Sequence, residues 1–92
     1  MIVVSKIEKT CRMCPSQWEG VTEDGRQLYA RYRYGHLYVN ISKTPTEDTI
    51  APISDGITVF TYDSDDEWDG VMSSEEVATL TSDVITYPED FV

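Results

Sequence analysis

Arg31 and Arg33, one residue apart, stand close in the chain to Tyr29 and Tyr38, to the single histidine, His36, and to Trp18 further back. A guanidinium group binds phosphate or carboxylate through two parallel hydrogen bonds and stacks on rings and bases. Trp18, Tyr29, Arg31, Arg33, His36 and Tyr38 are therefore the candidate residues for holding a nucleotide or another anion. The same types also serve packing: arginines on a half-buried sheet face lie along aromatic rings and pair with the protein's own carboxylates. Cys11-Arg12-Met13-Cys14 has the spacing of half a zinc site, yet a closed structural site needs four ligands and only His36 remains as a nitrogen donor. Two reduced thiols are one alternative, and a redox pair is another, for which the start of a helix in a βαβ unit is the expected setting. Catalysis is poorly served. There is one histidine, no glycine-rich phosphate loop, and Cys14 is followed by proline, so the chain is expected to be non-enzymatic.

A second chemistry-bearing stretch runs from Asp65 to Glu76 (DDEWDGVMSSEE). It resembles the calcium loop of the EF-hand, in which side-chain oxygens, one backbone carbonyl and a glycine at the sharp turn recur at fixed positions. The resemblance places Asp65, Glu67, Asp69, Ser73 and Glu76 on side-chain ligand positions, Val71 on the carbonyl and Gly70 on the turn, and implies calcium as the cofactor; apart from that resemblance no cofactor is expected. Glu67 is longer than the usual residue there, and the segment before Asp65 has strand rather than helix character. The alternative is an acidic turn followed by a capped helix, with Glu75 and Glu76 offsetting the helix dipole.

Charge is divided between the halves. All seven basic residues precede residue 44, where four acids oppose them, giving +3; residues 44–92 hold thirteen acids and no Lys or Arg, giving −13. Such asymmetry bears on encounter and partner choice far more than on fold. A net charge of −10 repels nucleic acid and anionic lipid, so no direct nucleic-acid or membrane partner is expected. The expected partner is a protein with a basic surface, met by Glu47, Asp48, Asp63, Asp65, Asp66, Glu67 and Asp69. The plainer alternative is that the charge keeps a small domain soluble. No apolar run approaches the ~20 residues of a membrane span, and the opening Met1 to Val4 is too short for a signal peptide, so the expected location is cytoplasmic.

Forty per cent hydrophobic and 11% aromatic content is enough to fold such a chain as one domain, residues 1–92. Ile2-Val3-Val4 opens a first strand over residues 1–8, with a loop from Lys9 to Pro15. Strands are expected at 17–21, 27–34 and 37–41, joined at Asp24-Gly25 and Gly35-His36, pairs that supply the positive φ of two-residue hairpin turns. With Gly35-His36 central, Tyr34 faces Leu37, Tyr32 faces Val39 and Ala30 faces Ile41 on an apolar side, and Arg33 faces Tyr38 on the other. With Asp24-Gly25 central, Val21 faces Leu28 on the core side while Trp18 faces Arg31 on the far side. Glu19 then points at the core, a defect that a bulge near Trp18 would repair. Residues 43–56 form a long loop, and residues 56–62 alternate as a strand, Ile57, Val59 and Thr61 against Thr58, Phe60 and Tyr62. Ser73 to Glu76 is a capping box that starts a helix bearing the stripe Val77, Leu80 and Val84; Pro88 follows and the tail frays. The expected fold is α+β: a mostly antiparallel β-meander sheet of four to five strands with one short C-terminal helix packed on one face.

The run Cys14 to Gly20 (CPSQWEG), followed by Asp24-Gly25-Arg26, Tyr29, Arg31-Tyr32-Arg33, Gly35, Leu37 and Val39, resembles a group of small uncharacterised bacterial and phage proteins, as does Asp69-Gly70-Val71-Met72 before a short helix. The resemblance implies a bacterial or phage origin. A phage-encoded chain would act in the host cytoplasm as an inhibitor-type protein, presenting carboxylates to a host nucleic-acid-binding protein where phosphates would lie.

Overall fold

The alternation of apolar and polar residues in the first half is realised as the middle of a sheet. The computed structural model describes residues 1–11, 16–65 and 70–91. Its strands are β1 (Ile2–Cys11), β2 (Ser16–Thr22), β3 (Gln27–Arg33), β4 (His36–Ser42), β5 (Gly56–Asp63) and β6 (Ile85–Thr86), with helices α1 (Ala51–Ser54) and α2 (Ser74–Leu80) and a 3-10 turn at Glu89–Phe91. The spatial order β5-β4-β3-β2-β1-β6 makes one six-stranded mixed sheet, antiparallel throughout except that β6 lies parallel to β1. The α+β class and the meander through β4 agree with expectation. Six strands replace four or five, and the helix is not the last element, because β6 and the 3-10 turn follow α2.

Turn length sets which residues reach the core. Between Thr22 and Arg26, which closes the hairpin ahead of β3, the loop is Glu23-Asp24-Gly25, three residues long, with Gly25 at φ +86°. The Thr22 N–H donates to the Arg26 carbonyl (2.9 Å) and closes it. One residue more than a two-residue turn moves the register by one and exchanges the two faces. Trp18 consequently lies opposite Ala30 and Glu19 opposite Tyr29, so Trp18 enters the core and Glu19 leaves it without any bulge in this pairing. The β3–β4 turn is centred on Tyr34 (φ +54°) and Gly35 (φ +73°), not on Gly35-His36. Two consecutive positive φ values are what a hairpin turn of matching twist needs. Tyr32 then faces Leu37, Ala30 faces Val39 and Arg31 faces Tyr38. The register differs by two from expectation, an even number, and the faces stay as expected.

The core lies on one face of the sheet. Val4, Trp18, Leu28, Ala30, Tyr32, Leu37, Val39 and Ile41 from the first half pack with Met72, Val77 and Ile85 from the second. A bulge opposite Val39 sets both Val59 and Phe60 of β5 against this cluster, which breaks the simple alternation expected there. The helix α2 starts at Ser73, whose hydroxyl accepts from the Glu76 N–H at 3.1 Å. Only half of the capping box forms, since the Glu76 carboxylate meets the Ser73 hydroxyl (3.4 Å). Val84 falls beyond the helix, and its carbonyl receives the Ile2 N–H (2.9 Å), leading β6 onto β1. The tail is anchored, not frayed: Tyr87 stacks on Phe91 at 4.6 Å and its hydroxyl meets Thr81 Oγ1 at 2.8 Å.

On the opposite face, the segment expected as a plain loop folds back across β3 and β4 and forms α1, with Pro52 buried in its first turn. Asn40 Nδ2 donates to the Pro52 carbonyl (3.1 Å) and Gln27 Nε2 to the Thr46 carbonyl (2.9 Å). Residues 70–91 thus lie on the core face, and 43–55 cover β3 and β4 on the other, where Lys6, Glu8 and Thr10 of β1 remain exposed.

Candidate functional site

The six candidate anion-binding residues separate. Trp18 is fully buried on the core face, where its indole N–H donates to Ser74 Oγ (3.0 Å) and the Lys9 ammonium stands 5.3 Å from its ring centre. Arg33 is exposed and turns onto its neighbour Tyr34, donating to the hydroxyl at 2.9 Å with the guanidinium 4.6 Å from the ring. His36 lies beside it, its Nδ1 2.6 Å from Asp63 Oδ1. What stays together on the far face is Tyr29, Arg31 and Tyr38. Arg31 is directly opposite Tyr38, and the Tyr29 and Tyr38 rings are 6.1 Å apart. Tyr29 is buried, and desolvation first, then Tyr38, pushes its hydroxyl above the ordinary tyrosine pKa while Arg31 pulls the other way. The Arg31 Nε is buried without a hydrogen-bond partner. Neither Arg31 nor Arg33 pairs with a carboxylate among the described residues, which departs from the expected pairing within the molecule.

The acids of the second half are spread along the outside. Glu47, Asp48, Asp55, Asp63, Asp65, Glu75, Glu76, Asp83, Glu89 and Asp90 are all exposed, and Asp66, Glu67 and Asp69 lie outside the described residues. Among the described residues, ion pairs engage only Asp55, with Lys43 (3.0 Å), and Asp63, with His36. The expected partner-binding acids do not gather on one spot. The Thr46 N–H donates to the Gly25 carbonyl, which puts Glu47 and Asp48 at the end of the sheet bearing the 23–25 loop. The Ser64 N–H donates to the Gly35 carbonyl, which puts Asp63 and Asp65 at the other end.

The second end carries a groove that the sequence reading did not single out. About 330 Å³ in volume, it lies between β5 and α2 and is lined by Tyr32, Tyr62, Met72, Glu75, Glu76 and Leu80 among others. Glu76 and Leu80 are four apart and so share a face of α2. That spacing, with Tyr62 at the end of an edge strand, was the available signal.

The residues assigned to calcium by resemblance are only partly described. Glu67 and Asp69 lie outside the described residues. Asp65 is exposed, and Ser73 and Glu76 are engaged with each other at the helix start. Val71 is 55% exposed. The flanking backbone is strapped to β2 and β1: the Ser16 N–H donates to the Gly70 carbonyl (3.0 Å) and the Met72 N–H to Ser16 Oγ (3.1 Å), while Lys9 Nζ of β1 donates to the Met72 carbonyl (2.7 Å). No group of three His, Cys, Asp or Glu side chains able to hold a metal occurs among the described residues. Cys11 is a partly buried free thiol at the end of β1, and Cys14 lies outside the described residues.

No described helix is long and apolar enough to cross a membrane. Comparison with known proteins finds no matching family, no matching curated protein and no matching solved structure.

Proposed function

We propose that this chain is a small non-catalytic interaction protein that docks on a basic protein surface through the carboxylates of its second half. The observation that carries the reading is that all ten described acids of that half are exposed while only Asp55 and Asp63 meet a base. Unneutralised carboxylates steer a cationic partner during encounter and disfavour anionic ones. The resemblance to bacterial and phage proteins makes a bacterial host the place to look, and a nucleic-acid-binding protein, whose basic surface accepts phosphates, the first kind of partner. Affinity capture from a bacterial lysate at low and high salt tests it. A partner retained at low salt, released at high salt and lost to the variant Glu75→Gln/Glu76→Gln/Asp63→Asn supports the reading; capture indifferent to salt and to these changes contradicts it.

A second reading is favoured by the unpartnered Arg31 Nε beside Tyr29 and Tyr38. A buried donor without a partner is an acceptor's natural position, and a small anion would fill it. Phosphate or nucleotide should then raise the melting temperature of the parent and not of Arg31→Gln.

A further inference from the structure

Strand β5 ends the sheet with its outer side unpaired among the described residues. Since the Ser64 N–H donates to the Gly35 carbonyl, the Leu37/Tyr62 and Val39/Phe60 pairs exchange backbone bonds with β4. The N–H and C=O groups of Thr61 and Asp63 consequently point away from the sheet. Edge strands are commonly blunted by lysine, proline, an inward charge or a bulge; the bulge of β5 falls at Val59, outside the regular stretch from Phe60 to Asp63. The sequence GITVFTYD has no lysine and no proline, and it is rich in residues suited to pairing. Beside this edge, on the core side, Ile57 (44%) and Tyr62 (37%) remain part-exposed, because α2 stops short of them and leaves the groove lined by Tyr62, Leu80, Glu75 and Glu76. On the other side stands Asp63, 78% exposed despite its contact with His36.

We propose that β5 and this groove take an extended cationic segment of the partner, added to the sheet as a seventh strand. Backbone groups of the segment bond Thr61 and Asp63, alternate apolar side chains lie on Tyr62 and Leu80, and the basic side chains between them lie on the Asp63 face, with Glu75 and Glu76 at the groove rim adding longer-range attraction at low salt. Strand addition draws affinity from main-chain bonds and selectivity from alternate side chains. Charge complementarity chooses the occupant. A second copy would bring a like-charged edge, with its own Asp55 and Asp63, against this one, and a chain of net charge −10 resists that approach. The inference deepens the proposed function and rests on it for the charge of the partner, but adds the place and the backbone geometry.

The test uses the full chain and two labelled octapeptides, acetylated and amidated, alternating lysine and valine; one carries backbone N-methyl groups at its lysines, whose N–H groups face β5 when the lysine side chains lie on the Asp63 face, so it keeps charge and side chains but cannot form this ladder. Fluorescence anisotropy at low salt should show the unmodified peptide binding about tenfold tighter than its N-methylated twin, a difference of about 1.4 kcal/mol. Thr61→Pro should erase that difference. Its N–H points outward, where an edge strand tolerates proline; should the variant fail to fold, the two peptides on the parent protein still decide. Glu75→Gln/Glu76→Gln should weaken both peptides and flatten their salt dependence. Equal, salt-sensitive binding of the two peptides overturns strand addition and leaves the acidic-surface reading standing. Binding of neither peptide at low salt removes both. A dimer of the chain that Thr61→Pro breaks, with no preference between peptides, assigns the edge to a second copy and overturns the proposal.

Discussion

The two halves of the chain occupy different places in the sheet. Residues 1–43 supply β1 to β4, the four inner strands, while β5 and β6 from the second half take the two edges. Eight of the eleven residues in the buried core cluster come from the first half. The inner strands bury their core face, and β3 and β4 are also covered by α1 on the other; an ionised carboxylate there would lose its water without compensation, whereas Glu8 on the uncovered face of β1 stays exposed. The edges, loops and α2 are where the ten described acids of the second half stay exposed. The division of charge is therefore also a division between what builds the interior and what faces outward, and substitutions in the two halves should have different consequences.

The largest effect is expected at Trp18. Trp18→Ala removes the largest fully buried side chain together with its bond to Ser74 and should cost about 3–5 kcal/mol, read by urea denaturation; a loss below about 1 kcal/mol would break the comparison. Next is Gly20, where a Cβ would stand 2.4 Å from the Lys6 carbonyl oxygen. Gly20→Ala must separate β1 from β2 and should cost about 1–3 kcal/mol. In the second half, Ser73→Ala removes the cap of α2 and should cost about 1 kcal/mol, seen as a loss of helical circular dichroism and a lowered melting temperature. The smallest effect concerns alkali. Burial raises the pKa of Tyr87, with its bond to Thr81 opposing, and burial also raises that of Tyr29. The neutral hydroxyls are favoured in the folded state, so their contribution is complete below the unfolded value of 10.0 and is lost as pH rises through the folded values. Stability measured across this range should fall with pH, and Tyr87→Phe should soften the fall.

Much of the fold was legible because period-two alternation identifies strands and the Ser73 capping box a helix start. The turns were harder. Asp24-Gly25 announces a hairpin without saying whether its loop has two residues or three, and that one residue moved Trp18 from the far face to the core. Glu19, which the shorter loop would have turned inward, carried the warning. The turn lies at Tyr34-Gly35 instead of Gly35-His36 with little consequence, because an even displacement keeps the faces; a tyrosine at positive φ runs against residue preference. Strand β6 has two residues and a partner more than 80 positions away, and α1 has four residues held by contacts with β3, β4 and β5; local pattern specifies neither. The candidate anion site lost Trp18 to the one-residue shift, while Arg33, opposite His36 at the end of β3, turns onto Tyr34. The groove beside β5 joins residues distant in sequence, and the Glu76/Leu80 spacing marks its α2 wall without showing that Tyr62 closes the other side.

The outward, unneutralised state of the second-half carboxylates is tested most directly by the melting temperature of the parent protein as sodium chloride is raised from low to near-molar concentration. Self-repulsion among exposed acids weakens as the Debye length falls from about 30 Å to about 3 Å, so the account predicts a melting temperature that rises with salt. A melting temperature that falls would mean that the acids are held by attractive pairs within the molecule, and would contradict the account.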